Sequence, residues 1–362
     1  MAIETSCDET AASVLEVRLD GKPKPGLLPE IKTLSSVVKS QINLHSKMGG
    51  VVPEAAARAH VKYIRPVVEK AINNSLSAEA LAKGERLTIH DLDYIAVTQG
   101  PGLLPSLMVG VEFAKALSYA TNIPMIPVNH MAGHLYSPFG AEFQISNFKF
   151  QNIFPQISLI VSGGHTMIVL ITDTKNYKVL GQTVDDAAGE AFDKVAKMLE
   201  LPYPGGPEVS KLAADGNSEA VNFPRPMINE KNYNFSFSGL KTAVLYYLRN
   251  NPQASKAQNL KADICASFQK ATVDVLVAKT MRAVKEFGAK SVSLSGGVAA
   301  NKSLRDELYL KSKILNLKLF VPPINLCTDN AEMIGLAAAF KLLNGFKPVK
   351  YSKVQADPNL GL

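Results

Sequence analysis

The chain contains two copies of one pattern, Ile157-Ser158-Leu159-Ile160-Val161-Ser162-Gly163-Gly164 and Val292-Ser293-Leu294-Ser295-Gly296-Gly297. In each copy an apolar strand leads into a small-residue turn. Glycine has no Cβ, so such a turn can adopt positive φ and bring backbone N–H groups close to an anion. Either turn alone is equally consistent with an ordinary connection between two elements. Together they predict a ligand that is held from two sides.

The second copy continues into a predicted helix, which adds to the case for an anionic ligand. Val298-Ala299-Ala300-Asn301 is followed by a helical stretch from Lys302 to Asn316. The N-terminus of a helix carries partial positive charge and unpaired N–H groups, and both favour a phosphate. The two turns therefore predict nucleotide binding.

The order of elements predicts an α/β fold with an internal duplication. Short β-rich segments alternate with helices, and a hairpin from Ile3 to Val17 resembles a second hairpin from Ile157 to Ile171. The chain of 362 residues exceeds one typical core and predicts two domains. We expect a first lobe at residues 1–128, completed by a helical segment at 329–362. A second lobe at 129–328 carries most of the nucleotide-binding loops.

Composition limits the class of protein. The longest uncharged stretches are interrupted by proline and glycine, so we expect a soluble protein without a membrane span. The three cysteines show no CxxC spacing and predict neither a disulfide framework nor a thiolate zinc site. No targeting segment is expected before the first strand. The net charge of +7 and the pI of about 9.1 permit a polyanionic partner, although scattered lysines also serve solvation alone.

The segment His130-Met131-Ala132-Gly133-His134 carries a second chemical signal. In a helix, histidines at i and i+4 lie on one face and can converge on a metal ion. The glutamate that serves as general base in HExxH metalloproteases is replaced by Met131. Asp329 is the candidate third ligand of a two-His, one-carboxylate site. The alternative is that both histidines are packed or hydrogen-bonded inside the protein.

Three further positions are candidates for contacts to a nucleotide. Asp193 lies beyond the first turn of a predicted helix and can accept hydrogen bonds from a ribose, while Gly206 allows close approach. Asp185 and Asp186 are explained more simply as acids near a helix N-terminus. Lys241 follows a small-residue turn and can meet a phosphate, although a surface turn is equally consistent with the sequence.

The ordered set of motifs resembles the TsaD family, the tRNA threonylcarbamoyladenosine transferases once described as O-sialoglycoprotein endopeptidases. The resemblance spans nearly the whole chain. The segments that carry it are residues 4–10, 49–54, 100–103, 130–134, 161–166, 185–194, 236–242, 295–301 and 327–330. The chain is most similar to the mitochondrial branch, in its basic pI and its extended loop from Phe139 to Pro155. It departs from many bacterial relatives at Ala132 and Pro105, and neither change removes a metal ligand.

The resemblance implies a duplicated actin-like, Hsp70-like fold with two lobes around a nucleotide cleft. It implies transfer of an L-threonylcarbamoyl group from threonylcarbamoyl-AMP to N6 of the adenosine beside the anticodon in tRNAs that read ANN codons, with release of AMP. His130, His134 and Asp329 would hold iron or zinc. The residues implied to hold the adenylate, with ATP or AMP as further possible ligands, are Ile160, Val161, Ser162, Gly163, Gly164, Asp193, Gly206 and Asn301.

The remaining expectations concern the base, the assembly and the location. As a hypothesis, Asp8 or Glu9 accepts the amine proton. By resemblance we expect a homodimer in the mitochondrial matrix, with the cytoplasm as the alternative location. Two rival functions remain: a metallo-endopeptidase, and a non-catalytic nucleotide-binding chaperone or sugar kinase of the same fold, which would need the glycine turns but not the paired histidines.

Overall fold

The computed structural model describes residues 1–18, 30–75, 87–140, 153–254 and 257–362. Most of the predicted loop from Phe139 to Pro155 lies outside these ranges. By their internal contacts the residues divide into two compact units. The first comprises Met1–Phe150 and Asp329–Leu362, and the second comprises Gln151–Thr328.

The first unit is built on a five-stranded sheet in the order β3-β2-β1-β4-β5. Its strands are β1 (Ala2–Glu4), β2 (Glu9–Arg18), β3 (Glu30–Ser40), β4 (Ile95–Gly100) and β5 (Met125–Asn129). The first three strands form an antiparallel meander, and β4 and β5 join parallel to β1. Ala2 pairs with Ser13 across the hairpin and with Ala96 on the other side. The strand that carries the first polar turn is therefore central.

The second unit repeats this arrangement with the order β10-β9-β6-β7-β8. Its strands are β6 (Gln156–Val161), β7 (Thr166–Ile171), β8 (Tyr177–Gln182), β9 (Ser291–Ser295) and β10 (Lys318–Phe320). Again three strands form an antiparallel meander and two join in parallel. The predicted duplication is confirmed at the level of topology. Because β6 and β9 are parallel neighbours, both small-residue turns leave the same edge of this sheet.

The helices cover the sheets with apolar faces. Those of the first unit are α1 (Ile42–His45), α2 (Pro53–Asn73), α3 (Leu104–Thr121), α4 (His130–Tyr136) and α10 (Ala331–Leu343). Those of the second are α5 (Ala188–Met198), α6 (Gly205–Ala213), α7 (Ser238–Asn250), α8 (Gln258–Glu286) and α9 (Lys302–Ile314). One core of the first unit joins Ile3 and Val97 to Ile64 and Val111. In the second unit Leu159 and Leu294 pack with Phe192 and Phe268.

The helix that carries both histidines belongs to the first unit, whereas the predicted boundary placed it in the second lobe. The reason is a close approach between α4 and α10. A Cβ added at Gly133 would lie 2.9 Å from Ile334 and 3.1 Å from Met333, and Tyr136 stacks on Phe340 at 4.2 Å between ring centroids. A helix from the end of the chain therefore fixes α4 in the first unit.

Most predicted elements are present with small shifts at their ends. The predicted helix from Lys302 to Asn316 ends at Ile314, and Pro53 occupies the first turn of α2 with Pro66 inside it. Among the described residues, none of the helices combines the length and the apolar character needed to cross a membrane.

Candidate metal centre and nucleotide-binding turns

Asn129, the last residue of β5, caps the N-terminus of α4, the helix that carries both histidines. Asn129 has extended backbone geometry, and its side-chain oxygen accepts hydrogen bonds from the N–H groups of Met131 and Ala132 at 2.8 and 3.2 Å. Such a cap satisfies N–H groups that have no partner within the helix. His130 and His134 therefore occupy successive turns of one buried face, with ring centroids 4.8 Å apart.

Asp329 reaches this face from the far end of the chain. Its Oδ1 lies 3.1 Å from Nε2 of His134 and 3.5 Å from Nε2 of His130. The candidate ligand atoms of the three residues lie within 4.8 Å of one another. The next residue, Asn330, caps α10 by accepting a hydrogen bond from the N–H of Met333 at 3.0 Å. The structure thus brings together the three residues predicted as metal ligands.

A buried carboxylate supports the first histidine from behind. Glu4 is inaccessible to solvent, and its Oε2 lies 3.2 Å from Nδ1 of His130. Glu4 also accepts hydrogen bonds from the Ser6 N–H and the Thr98 hydroxyl, both at 2.5 Å. A carboxylate on Nδ1 places the proton there and leaves Nε2 as a ligand atom, the arrangement common in metal sites. Sequence reasoning missed Glu4, although an acid at the end of a buried strand is a recognisable signal.

The charges of His130, Glu4 and Asp329 affect one another's pKa values. Burial lowers the pKa of His130, but the Asp329 and Glu4 carboxylates outweigh that effect and raise the pKa to about 9. Burial raises the pKa of Glu4, and the charge of His130 with its hydrogen bond outweighs this and holds the pKa below its usual range. A positive charge is therefore favoured between these two carboxylates.

The ligand set fits a transition-metal cation. His134 is almost completely buried, and neither of its ring nitrogens makes a hydrogen bond to the residues that the structure describes, although Nε2 lies 3.1 Å from Oδ1 of Asp329. Burying an imidazole without a hydrogen bond costs the free energy of its hydration. A metal ion bound at Nε2 would compensate for this cost. Two imidazoles and one carboxylate suit iron or zinc and leave coordination positions open. The predicted alternative of two histidines fully satisfied by packing and hydrogen bonds is therefore disfavoured.

The two proposed bases, Asp8 and Glu9, lie where the turn after Glu4 leads into β2. Asp8 and Glu9 are both buried, and Glu9 begins β2. Burial raises the pKa of Glu9 well above its usual range, and the charges of Asp8 and Asp329 raise it further. Glu9 therefore lies within electrostatic reach of Asp329 in the metal cluster.

The glycines of the second unit divide into two kinds. Gly296 has φ of 88°, and a Cβ there would lie 2.3 Å from the Val161 carbonyl oxygen. By contrast, a Cβ at Gly163 or Gly164 would meet no described atom within 4 Å, and one at Gly206 would meet only Phe192 at 4.0 Å. The prediction of positive φ is thus confirmed at Gly296 and wrong at Gly163 and Gly164. The space above these open glycines suits a ligand.

Side chains hold the open turns in shape. The first turn is closed by a backbone hydrogen bond in which the N–H of Ser162 donates to the carbonyl of His165 at 2.7 Å. Before this turn, Ile160 and Val161 are fully buried in β6. Asp193 accepts hydrogen bonds from the N–H groups of Gly205 and Gly206 at 2.7 and 3.3 Å through one carboxylate oxygen. Asp193, predicted to meet a ribose, is thus placed by the structure at the N-terminus of α6, which it fixes.

Asn301 has a similar structural role. Its oxygen caps α9 by accepting from the N–H of Leu304 at 3.0 Å, and its amide donates to Ser210 at 2.8 Å and Gln269 at 2.7 Å. These bonds join α9, α6 and α8. The side chain predicted to contact the adenylate is thus tied into the scaffold of the turn that it follows.

Lys241 forms an ion pair with Asp186. Its Nζ donates to Asp186 at 2.7 Å, and Lys194 donates to the other oxygen of that carboxylate at 2.7 Å. Asp185 accepts hydrogen bonds from the Phe237 and Ser238 N–H groups at the start of α7. The prediction that Asp185 serves the helix that follows it is wrong, because a loop distant in sequence brings α7 to it.

Comparison with known proteins identifies the family. A sequence profile for TsaD, tRNA N6-adenosine threonylcarbamoyltransferase, matches residues 32–336. The chain belongs to the TsaD family. The protein of that name from Thermosipho melanesiensis is 47% identical over 363 residues, which cover 100% of this chain and 99% of that protein. The one from Geotalea uraniireducens is 48% identical over 344 residues, covering 95% and 91%. The chain is therefore an enzyme of the transferase class.

Two solved structures are similar to this chain in fold, at low sequence identity. HypF from T. kodakarensis superimposes with a TM-score of 0.54 at 14% identity, covering 96% of this chain and 49% of HypF. A full-length HypF in its phosphate- and nucleotide-bound form gives 0.52 at 17% identity, covering 76% and 42%. The chain thus spans less than half of either HypF. The likeness supports the duplicated ATPase-type fold.

Proposed function

We propose that this TsaD-family chain transfers the L-threonylcarbamoyl group of threonylcarbamoyl-AMP to N6 of the adenosine beside the anticodon in ANN-decoding tRNAs, releasing AMP. The observation that carries the proposal is the convergence of His130, His134 and Asp329 in a chain nearly half identical to named transferases. A mixed anhydride arrives already activated, so the protein needs to orient two substrates and stabilise developing charge rather than supply a nucleophile.

We propose His130, His134 and Asp329 as the ligands of one iron or zinc ion. When bound, such an ion supplies a Lewis acid for an oxygen of the acyl phosphate. Glu4 keeps His130 in the tautomer with its proton on Nδ1. The hydroxyl oxygen of Ser6 lies 3.1 Å from the same nitrogen and is a second acceptor for this N–H. Burial of both imidazoles excludes water from this side of the cluster.

The chain's own residues also provide for the proton and the leaving group. N6 of adenosine must lose a proton as the new C–N bond forms. Asp8 and Glu9 are the candidates for accepting it, because both are buried carboxylates that follow Glu4 in sequence. The open glycines Gly163, Gly164 and Gly206 leave room for AMP phosphate and ribose beside backbone N–H groups.

The rival functions each lack a required feature. A peptidase of the HExxH type needs a base after the first histidine, and Met131 is apolar and buried there. A nucleotide-binding chaperone has no use for a buried histidine pair that faces a carboxylate. Incubation with an unfolded protein substrate tests the first alternative, and the metal content of the purified protein tests the second.

The decisive experiment supplies threonylcarbamoyl-AMP and unmodified tRNA to the purified, metal-loaded protein. The tRNA is then digested, and its nucleosides are separated and weighed. We expect threonylcarbamoyladenosine with wild-type protein and at least ~100-fold less with Asp329→Asn. Failure to form the modified nucleoside with wild-type protein, whether alone or with added cell extract, would refute the proposal.

The assembly and the location belong to the same proposal. A homodimer is tested by mass determination in solution, and a monomer at the working concentration of the assay would contradict it. The basic pI of about 9.1 favours the mitochondrial matrix over the cytoplasm. Fractionation of the source cells decides between the two.

A further inference from the structure

Arg305 lies on α9 and holds two segments that approach it from different directions. Its Nε donates a hydrogen bond to the carbonyl of Ala299, in the turn after β9. Its Nη2 donates to the Pro322 carbonyl at 2.8 Å and contacts Sγ of Cys327 at 2.9 Å. The guanidinium therefore joins the Gly296–Asn301 turn to the segment from Pro322 to Cys327.

The chemistry of these contacts requires an arginine. Two carbonyl dipoles and a thiol receive its N–H groups, and no carboxylate of the described residues forms an ion pair with it. A planar fork can serve three acceptors in fixed directions, whereas a lysine offers a single point charge. The arrangement positions backbone rather than neutralising charge.

The held segment leads directly to a metal ligand. Cys327 is buried and precedes Asp329 by one intervening residue, Thr328. On the other side, Asn330 caps α10. The backbone of Asp329 is thus fixed before it by Arg305 and after it by a helix cap. The chain also passes from the second unit to the first between Thr328 and Asp329.

We propose that Arg305 is a positioning residue that couples occupancy of the Gly296–Asn301 turn to the metal affinity of Asp329. The inference rests on the proposed function for the identity of the two ligands. A nucleotide that orders the turn fixes the Ala299 carbonyl, and through Arg305 it fixes the segment that presents Asp329. Linkage then requires that the metal ion strengthen nucleotide binding by the same factor.

The test measures Zn²⁺ affinity by competition with a chelator, with and without saturating AMP. In wild-type protein we expect AMP to tighten Zn²⁺ binding about fivefold or more. In Arg305→Gln the factor falls to within about twofold of unity, and Arg305→Lys restores at most a small part of it. Lys311→Gln is the matched control, because it removes a cation of the same helix whose partner is Glu307 on the surface. It should keep the wild-type factor.

Cys327→Ala keeps the proposal testable if Arg305→Gln does not fold. It removes one of the three acceptors, so we expect a reduced but measurable coupling factor with both carbonyl contacts intact. The proposal is overturned if wild-type protein shows no coupling. It is also overturned if the Arg305 and Cys327 variants keep the wild-type factor while only their AMP affinity falls. Coupling without formation of the modified nucleoside would instead reject the proposed reaction and leave the role of Arg305 standing.

Discussion

The metal cluster and the glycine turns represent two ways of building a site. In the first unit, side chains from β1, α4 and the segment before α10 meet in a buried cluster, and a carboxylate behind His130 fixes its orientation. In the second unit, backbone turns leave parallel strands, and a Cβ built at Gly163 or Gly164 would meet no described atom within 4 Å. The first site depends on side chains that are distant in sequence, and the second depends on backbone that is encoded locally. Substitutions should therefore affect them differently.

The largest expected effect comes from removing a metal ligand. In His134→Ala one of three ligand atoms is lost, so Zn²⁺ affinity should fall by more than ~100-fold, beyond the loss typical of an outer partner. The affinity for AMP measured without metal should change little, because the turns of the second unit keep their structure. Chelator competition measures the first quantity and calorimetry the second. His90→Ala, at an exposed histidine of the same unit, is the control, and equal losses in the two variants would contradict the assignment.

Removing the support behind His130 should have the next largest effect. Glu4→Gln keeps the shape of the side chain but loses the charge that holds the proton on Nδ1. We expect a loss of ~10- to 100-fold in Zn²⁺ affinity with a folded protein. Thr98→Val removes only a donor to Glu4 and should cost less. If Glu4→Gln bound Zn²⁺ as tightly as wild type, Glu4 would have no part in the centre.

The glycine turns should separate stability from binding. Gly296→Ala places a Cβ 2.3 Å from a carbonyl oxygen at positive φ, so it should lower the free energy of unfolding by more than ~1 kcal/mol. Gly206→Ala meets only Phe192 at 4.0 Å and should stay within ~0.5 kcal/mol of wild type while AMP affinity drops. Denaturant unfolding and calorimetry measure the two quantities. Unchanged AMP affinity in Gly206→Ala would place the nucleotide elsewhere.

The smallest effect concerns a buried lysine that supports the second unit. Lys279 donates to the carbonyls of Asn232 and Asn234 at 3.1 and 2.5 Å, and burial lowers its pKa to about 8, with a smaller contribution from Arg282. Between pH 8 and its usual pKa of about 10.5 the unfolded chain binds more protons than the folded one, so wild-type stability gains as pH rises. Lys279→Met should lack this gain. Unfolding curves at pH 7 and pH 10 that shift in parallel would exclude the effect.

Much of the fold follows from local patterns. The strand-turn pattern at Val161 and Ser295 and the i, i+4 spacing of His130 and His134 depend on neighbours in sequence, and each is present in the structure. The errors concern partners. The predicted lobe boundary ignored the packing of α10 on α4, and Asp185 was assigned to the wrong helix because α7 is distant in sequence.

The sequence by itself determined the α/β periodicity, the duplicated hairpins, the turns that lack a Cβ and the spacing of two imidazoles on one helix face. These are properties of short segments, which φ, ψ and side-chain periodicity control. Asp329 was predicted as the third ligand, and the tertiary structure brings it to the imidazole pair. Only the tertiary structure decided that Glu4 fixes the tautomer of His130 and that Arg305 holds the chain before Asp329. The contacts of Glu4 and Asp329 with the histidines join residues more than a hundred positions apart, and those of Arg305 reach beyond its own helix. It is the packing of sheets and helices, not local preference, that brings these groups together.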